Sequence, residues 1–248
     1  MDFVILFFVM KERLLIDEGN TFTKFELWRN NVKAGYVVCE HTDVKDECNK
    51  LGVSLPVDEA IICSVRGEHS VSIGLARKTV IVNCNTPMPL KIKYAHTLGA
   101  DRIAAAAGAL ALAPGKKCLV IDFGTAITYD IVTAEGEFIG GNIAPGIFMR
   151  SQALNQFTKA LPKIELSGET PAWGFNTDTA IRSGAVLGAV GELEYYIRSA
   201  SKGESDLAVI LTGGQAELVI PHIEYPIIHE PNLVLMGLNS IINYNEDK

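Results

Sequence analysis

Apolar residues fall in short blocks along the chain, and their spacing predicts the elements. Leu14 to Asp17 is an apolar strand running into Glu18-Gly19-Asn20-Thr21, and Thr23 to Trp28 then alternates apolar with polar in the manner of a returning strand. Together they predict a hairpin with a polar, glycine-containing turn. Ile61 to Val65 and Thr79 to Asn83 have the continuous apolar character of buried strands. Ala100 to Ala113 reads as a helix stopped by Pro114-Gly115. Eight of its 14 positions are alanine, so another element, a second subunit included, can approach it closely; plain burial in the core explains the composition equally well. Beyond it, Cys118 to Asp122 is a strand, Phe123-Gly124-Thr125 a turn and Ile127 to Val132 a return strand, followed by Glu135-Gly136 and Phe138-Ile139. Gly184 to Ile197 fits an amphipathic helix, Leu207 to Leu211 a buried strand entering Thr212-Gly213-Gly214, and Leu233 to Ile242 a terminal helix.

One pattern occurs twice. Asp17 and Asp122, 105 positions apart, each end an apolar strand, precede a glycine and a threonine in the turn, and are followed by a return strand. Such a repeat predicts two related α/β halves, residues 1–115 and 116–248, divided near Pro114-Gly115. Two unrelated Asp-Gly hairpins are the competing reading. The apolar run Phe3 to Met10 is too short to span a bilayer and, preceded by Asp2 with no basic residue, has the wrong flank for a secretory signal; it reads as an extra strand, or Met10 as the start.

Composition narrows the function. The 248 residues suffice for one large domain or two smaller ones, and 48% apolar with 21% charged residues is the balance of a compact globular chain. A net charge of -7, from 22 basic and 29 acidic residues without a block of either sign, argues against nucleic acid as a partner. An anionic ligand such as ATP stays open, because backbone N–H groups and a metal ion can neutralise phosphates. The five cysteines, at 39, 48, 63, 84 and 118, have neither C-x-x-C nor zinc-finger spacing and read as reduced thiols of a cytoplasmic protein.

Phosphoryl transfer requires donors around the phosphates, a metal ion bridging their oxygens and a carboxylate for the acceptor's hydroxyl proton. Asp17, at a strand end, can hold Mg²⁺ directly or through water; Gly19 lets backbone N–H groups approach a phosphate; Asn20 and Thr21 add donors, and Lys24 lies within reach on the return strand. Neither a P-loop nor a Rossmann phosphate motif is present, so this hairpin is the remaining phosphate site, with an ordinary polar turn as its plain alternative. Gly99-Ala100-Asp101-Arg102 opens the alanine-rich helix, where an arginine opposes the helix dipole. Bidentate binding of an acceptor's carboxylate would explain it, as would a capping Asp beside a solvated Arg. The histidines at 41, 69, 222 and 229 have no ligand spacing and read as surface or loop residues; Trp28 and Trp173 read as packing residues.

Taken in order, these motifs resemble the type III pantothenate kinases, a branch of the acetate and sugar kinase, heat-shock chaperone and actin superfamily. The similarity lies in Leu15-Ile-Asp-Glu-Gly-Asn-Thr21 with Lys24, Gly99 to Arg102, Val120-Ile-Asp-Phe-Gly-Thr-Ala126, Gly140-Gly141 with Ile143-Ala-Pro-Gly146, Asn176-Thr177 with Ala180-Ile181, and Leu211-Thr-Gly-Gly214. The resemblance implies two duplicated ribonuclease H-like (actin-like ATPase) domains, each a mixed sheet flanked by helices. It implies ATP-dependent phosphorylation of pantothenate to 4′-phosphopantothenate, the first step toward coenzyme A.

Residue by residue, Asp17, Glu18, Gly19, Asn20, Thr21, Phe22, Thr23 and Lys24 would bind the ATP phosphates, with Asp17 on the Mg²⁺ side and Thr125 touching ATP. Asp101 would be the general base, and Tyr94, Gly99, Ala100 and Arg102 would line the pantothenate pocket with it. Asp122 would hold a monovalent cation, K⁺ or NH₄⁺, and Thr177 would contact substrate across a homodimer interface. An ionised Asp101 suffices as base, because a loose transition state asks mainly for positioning. Glu18 stands where the family usually has an apolar residue, and Ala95-His96-Thr97 replaces a stretch that often contains proline. A non-catalytic accessory or regulatory protein of the same fold and a kinase of another small alcohol are the alternatives. Asp17, Asp101 and Asp122 weigh against the first, and Gly99 to Arg102 against the second. No nucleic acid and no membrane are expected as partners.

Overall fold

The computed structural model describes residues 10–40, 44–66, 74–202 and 206–246; the Phe3 to Met10 run except its last residue, and the histidines at 41 and 69, lie outside them. Strands β1 (Glu12–Glu18) and β2 (Thr23–Arg29) form the expected hairpin. A tight turn at Asn30 and Asn31, both with positive φ, returns the chain as β3 (Val32–Cys39). Helix α1 (Val44–Lys50) leads to β4 (Val57–Ser64), parallel to β1, and β5 (Ala76–Ile81) lies parallel to β4, giving the order β3-β2-β1-β4-β5.

A short strand β6 (Lys91–Ile92) and helix α2 (Ala100–Leu112) follow, and then the plan repeats. Strands β7 (Lys117–Phe123), β8 (Ala126–Val132) and β9 (Glu137–Pro145) are antiparallel neighbours. After α3 (Ile147–Phe157) and α4 (Thr177–Ala200), β10 (Leu207–Thr212) joins parallel to β7 and β11 (Ile228–His229) parallel to β10. The order β9-β8-β7-β10-β11 reproduces the first sheet strand for strand and sense for sense. The chain ends in α5 (Leu233–Glu246), the counterpart of α2.

Strand alternation sorts the core into three layers. Leu14 and Ile16 of β1, with Ala60 and Ile62 of β4, face α1 across the outer side of the first sheet. Leu119 and Ile121 of β7, with Val209 and Leu211 of β10, pack on the long helix α4 across the outer side of the second. Leu15, Ile61, Val120 and Ile210 point the other way, into a central layer filled by α2 and α5. The alanines of α2 are small because this helix is enclosed by sheets and by α5. Its closely approaching neighbour is therefore α5 of the same chain: a Cβ on Gly237 would collide with the Ala104 carbonyl, and one on Gly108 with the Leu233 carbonyl.

Packing crosses residue 115 in several places, α2 lying against β7 and β8 as well. Strand β6 pairs with β9, and α5 returns from the second half to pack on α2, β1 and β4. Among the described residues no helix is long and apolar enough to cross a membrane. Trp28 packs against the central layer as expected, whereas Trp173, in the segment before α4, is 90% exposed.

Candidate active site

The alternation that builds the core also aims the chemistry. Asp17 shares the parity of Leu15, and Asp122 that of Val120, so both carboxylates project from strand ends toward the central layer, where α2 begins. There the first turn of α2 carries Asp101, whose Oδ1 accepts a hydrogen bond from the Arg102 backbone N–H at 2.8 Å. Lys24 sits directly across from Asp17 on β2. Neither strand aspartate is sealed from solvent.

Their charges act on one another. Burial pushes the Asp17 carboxyl up to about 6; Lys24 opposes the rise and Asp101 adds to it. Burial, followed by repulsion from Asp101 and Asp17, pushes Asp122 up to about 7. Cys63, next to Asp17 on β4, is fully buried, and burial together with these carboxylates raises its thiol well above its ordinary value, which disfavours the thiolate. Three carboxylates from three elements thus share one neighbourhood with one lysine.

Each aspartate lies beside a turn that exposes backbone. In the first, the Gly19 N–H donates to the Phe22 carbonyl at 3.0 Å, with Asn20 and Thr21 exposed at the tip; Glu18 is buried despite its charge, and Thr23 is buried at the start of β2. In the second, the Gly124 N–H donates to the Ala126 carbonyl at 3.1 Å and Thr125 is exposed. The turn is held from two sides. Gly146, at the start of α3, donates to the Thr125 carbonyl at 3.1 Å, and a Cβ there would strike the turn's backbone. Gln215, after β10, donates from its backbone N–H to the Phe123 carbonyl at 2.9 Å and from Nε2 to the Gly124 carbonyl at 2.7 Å.

Arg102 is not a solvated residue. Its side chain is 7% exposed and lies against Asp130 of β8, which is 1% exposed. Nε donates to both carboxylate oxygens, at 3.0 and 3.1 Å, and a terminal nitrogen donates to Oδ1 as well. The guanidinium is 5.5 Å from the centre of the Tyr94 ring and 5.6 Å from that of Phe138, and these two rings meet edge to face. Tyr94, Gly99, Ala100, Asp101 and Arg102 are therefore brought together at the start of α2. Thr177 stands apart, exposed at the first position of α4 behind the Asn176 capping box. His96 lies in the loop before α2, where its carbonyl accepts from the Cys84 thiol.

Sequence reasoning missed Asp130 and Gln215, and it gave Gly141 no role although the Gly140-Gly141 pair is one of the matching motifs. A signal existed for the first: a carboxylate midway along the apolar strand Ala126 to Val132, on its inward parity, must have a buried partner. As a cation site, the cluster offers oxygen donors suited to hard ions. Among the described residues no three acidic, cysteine or histidine side chains form a closed metal centre. A small cavity of about 20 Å³ between β4, β5 and the end of α5 is lined by Glu59, Lys78 and Glu246 and is too small for a nucleotide.

Comparison with known proteins agrees with this geometry. The sequence profile of the type III pantothenate kinase family matches residues 13–199. A Porphyromonas gingivalis protein named type III pantothenate kinase is 40% identical over 253 residues, covering 95% of this chain and 100% of the relative. One from Phocaeicola vulgatus with the same name is 45% identical over 240 residues, covering 94% and 98%. Among solved structures, a conserved Baf family protein of Campylobacter jejuni superposes with a TM-score of 0.62 at 21% identity, covering 95% of this chain and 100% of that one. The activator of 2-hydroxyisocaproyl-CoA dehydratase from Clostridium difficile does so with a TM-score of 0.56 at 13% identity, covering 95% and 96%. At such identities the structures speak for the shared fold, the actin-like arrangement of two mixed sheets with flanking helices. With the profile match and nearly full-length relatives above 30% identity, the chain belongs to the type III pantothenate kinase family.

Proposed function

We propose that this kinase transfers the γ-phosphoryl group of ATP to the primary hydroxyl of pantothenate, giving 4′-phosphopantothenate and ADP. The observation that carries the reading is the convergence of Asp17, Asp122 and Asp101 with Lys24, from two copies of one strand hairpin and the helix between them. The turn from Asp17 to Lys24 takes the phosphates on its backbone N–H groups and the Lys24 ammonium, and Thr125 contacts ATP from the second turn. Asp17 would hold Mg²⁺ directly or through water, and Asp122 would hold K⁺ or NH₄⁺; the positive charge supplied there would neutralise phosphate oxygens. Asp101 accepts the hydroxyl proton as the acceptor oxygen bonds to phosphorus and the bond to ADP breaks. Tyr94, Gly99, Ala100 and Arg102 hold the acceptor beside it.

Several coarser features belong to the same reading. The exposed Trp173 and Phe175, next to Thr177, suit a homodimer in which Thr177 meets the partner's acceptor site. The chain divides functionally near residue 115, each half supplying one aspartate hairpin, and it acts in the cytoplasm.

A coupled assay with MgATP and pantothenate, with and without K⁺, tests the proposal beside Asp101→Asn. Wild type should release ADP only when pantothenate is present, and the variant should lose about 10² to 10⁴ in kcat. Absence of pantothenate-dependent ADP release at every monovalent salt concentration rejects the substrate. A variant as fast as wild type places the base elsewhere.

A further inference from the structure

The guanidinium that the acceptor reading assigns to substrate is already engaged. Three hydrogen bonds tie Nε and one terminal nitrogen of Arg102 to Asp130, and the guanidinium carbon lies 5.5 Å from the centre of the Tyr94 ring. A five-donor fork whose rear edge is fixed in this way presents only its remaining donors. Asp130 sits across β8–β9 from Gly141, and the absence of a side chain there is what admits the pair: a Cβ on Gly141 would collide with Asp130 Oδ1 and the Tyr129 carbonyl, and would stand 2.6 Å from an Arg102 terminal nitrogen. The Gly140-Gly141 motif thereby acquires a physical reason at its second position.

A buried arginine–aspartate pair contributes little to stability compared with an apolar filling of the same volume. One that also fixes a guanidinium at the start of α2, next to Asp101, has a use there. We propose that Asp130, seated over Gly141, is a positioning residue of the acceptor site: it locks the Arg102 guanidinium between Tyr94 and Phe138 so that one edge faces the carboxylate of the acceptor. This rests on the reading of Arg102 as an acceptor-binding residue. The pair is close to neutral, so the acceptor's carboxylate meets an oriented pair of donors more than a free positive charge. Recognition then depends on the fit of that edge, and Asp130 acts on the acceptor only through Arg102.

Steady-state kinetics on Asp130→Asn, Arg102→Met and the double variant test this. Asp130→Asn keeps the size of the side chain and one acceptor oxygen while removing the charge that orients the fork. Its KM for pantothenate should rise about tenfold, with KM for ATP unchanged and kcat within about threefold of wild type. In the Arg102→Met background the Asp130→Asn change should add nothing to the pantothenate KM. A merely structural role would raise both KM values together or add fully in the double variant, and either result overturns the proposal. An unchanged pantothenate KM in Asp130→Asn beside a raised one in Arg102→Met overturns the positioning role alone. An unchanged pantothenate KM in Arg102→Met rejects the acceptor reading, and the positioning role falls with it. If Asp130→Asn does not fold, Asp130→Glu serves, because its longer arm displaces the fork: the same selective rise in pantothenate KM is expected, and equal rises for both substrates reject the idea.

Discussion

The two hairpins that carry Asp17 and Asp122 share a backbone plan and differ in what faces the carboxylate. In each, the aspartate lies one residue from the strand end, and the loop after the parallel neighbour closes over the following carbonyl: Val65 N–H on Glu18 at 3.2 Å, Gln215 N–H on Phe123 at 2.9 Å. Between the last cross-strand pairs, Glu18 with Thr23 and Phe123 with Ile127, the first hairpin holds residues 19–22 and the second residues 124–126, one fewer. Across from Asp17 stands Lys24; across from Asp122 stands Thr128. Burial raises both carboxyls, but the lysine is the foremost influence opposing the rise at Asp17, whereas at Asp122 it ranks behind repulsion from Asp101 and Asp17. The first carboxyl thus faces a counter-charge from its own hairpin, whereas the second faces the uncharged Thr128. One cross-strand residue, Lys24 against Thr128, separates the two copies of the plan, and the proposed split between a Mg²⁺–phosphate site and a monovalent-ion site rests on it.

The largest expected effect comes from removing each carboxylate in turn. Asp17→Asn should lower kcat/KM for MgATP by about 10³, close to 4 kcal/mol, because a preorganised ligand of the metal–phosphate complex is lost. Asp122→Asn should cost about tenfold to a hundredfold and abolish the response to K⁺ while leaving the Mg²⁺ dependence in place. Equal losses, with K⁺ dependence kept in both, would show that the hairpins are not specialised.

Next in size is a backbone effect confined to the second hairpin. Gly213, with φ of +90°, lies where a Cβ would collide with the Asp122 carboxylate and the Phe123 backbone. Gly213→Ala should destabilise the protein by about 3 kcal/mol in thermal or urea unfolding. In the first half Ser64 stands at the corresponding position and accepts from the Arg66 N–H at 3.1 Å.

A smaller effect is read in pH. Both carboxyls titrate higher in the folded protein than the ordinary value of 3.8, so between about pH 4 and 7 the native state holds more protons than the unfolded one. Stability of the metal-free protein should therefore fall as pH rises through that window, by an amount on the order of 2 kcal/mol after allowance for partial exposure. Asp122→Asn should flatten the slope, and K⁺ should raise the melting temperature of wild type at pH 8 but not that of the variant. A melting temperature that climbs from pH 5 to pH 8 in the metal-free wild type would refute the assignment.

Much of this arrangement is legible in the chain because it is periodic. Strands β1, β2, β7 and β8 and helix α2 show their apolar spacing directly, and the paired Asp-x-Gly turns reveal the repeat. Strand β3 escaped because its residues alternate between exposed and half-buried, so it lacks a clear apolar face. Helix α1 buries only Val44 and Cys48, and α3 only Ile147 and Ser151, too few to show a stripe. The first turns of α4 bury polar residues instead: the Arg182 Nε and Nη1 donate to the Glu165 and Glu169 carbonyls at 3.1 and 3.0 Å, and the Ser183 hydroxyl to that of Pro171 at 2.7 Å. Partnerships made across the fold leave no local pattern. The same holds at the site: Asp17, Asp101 and Asp122 announce themselves by motif, while Asp130 has meaning only beside Arg102, 28 residues earlier.

The smallest change probes the comparison most directly. Lys24→Met removes the cation that distinguishes the first hairpin while leaving its turn, its strand pairing and Asp17 in place. Asp17 would then face an uncharged residue, as Asp122 faces Thr128, and burial with Asp101 would act on it without that counterweight. Its carboxyl should climb toward that of Asp122, and the acid limb of the pH profile of kcat/KM for ATP should move up by about one unit. KM for ATP should rise about tenfold through the lost phosphate contact, with KM for pantothenate unaltered. If the acid limb stays where it is in wild type, Lys24 does not set the difference between the two aspartates, and the cause must lie in the one-residue difference between the turns.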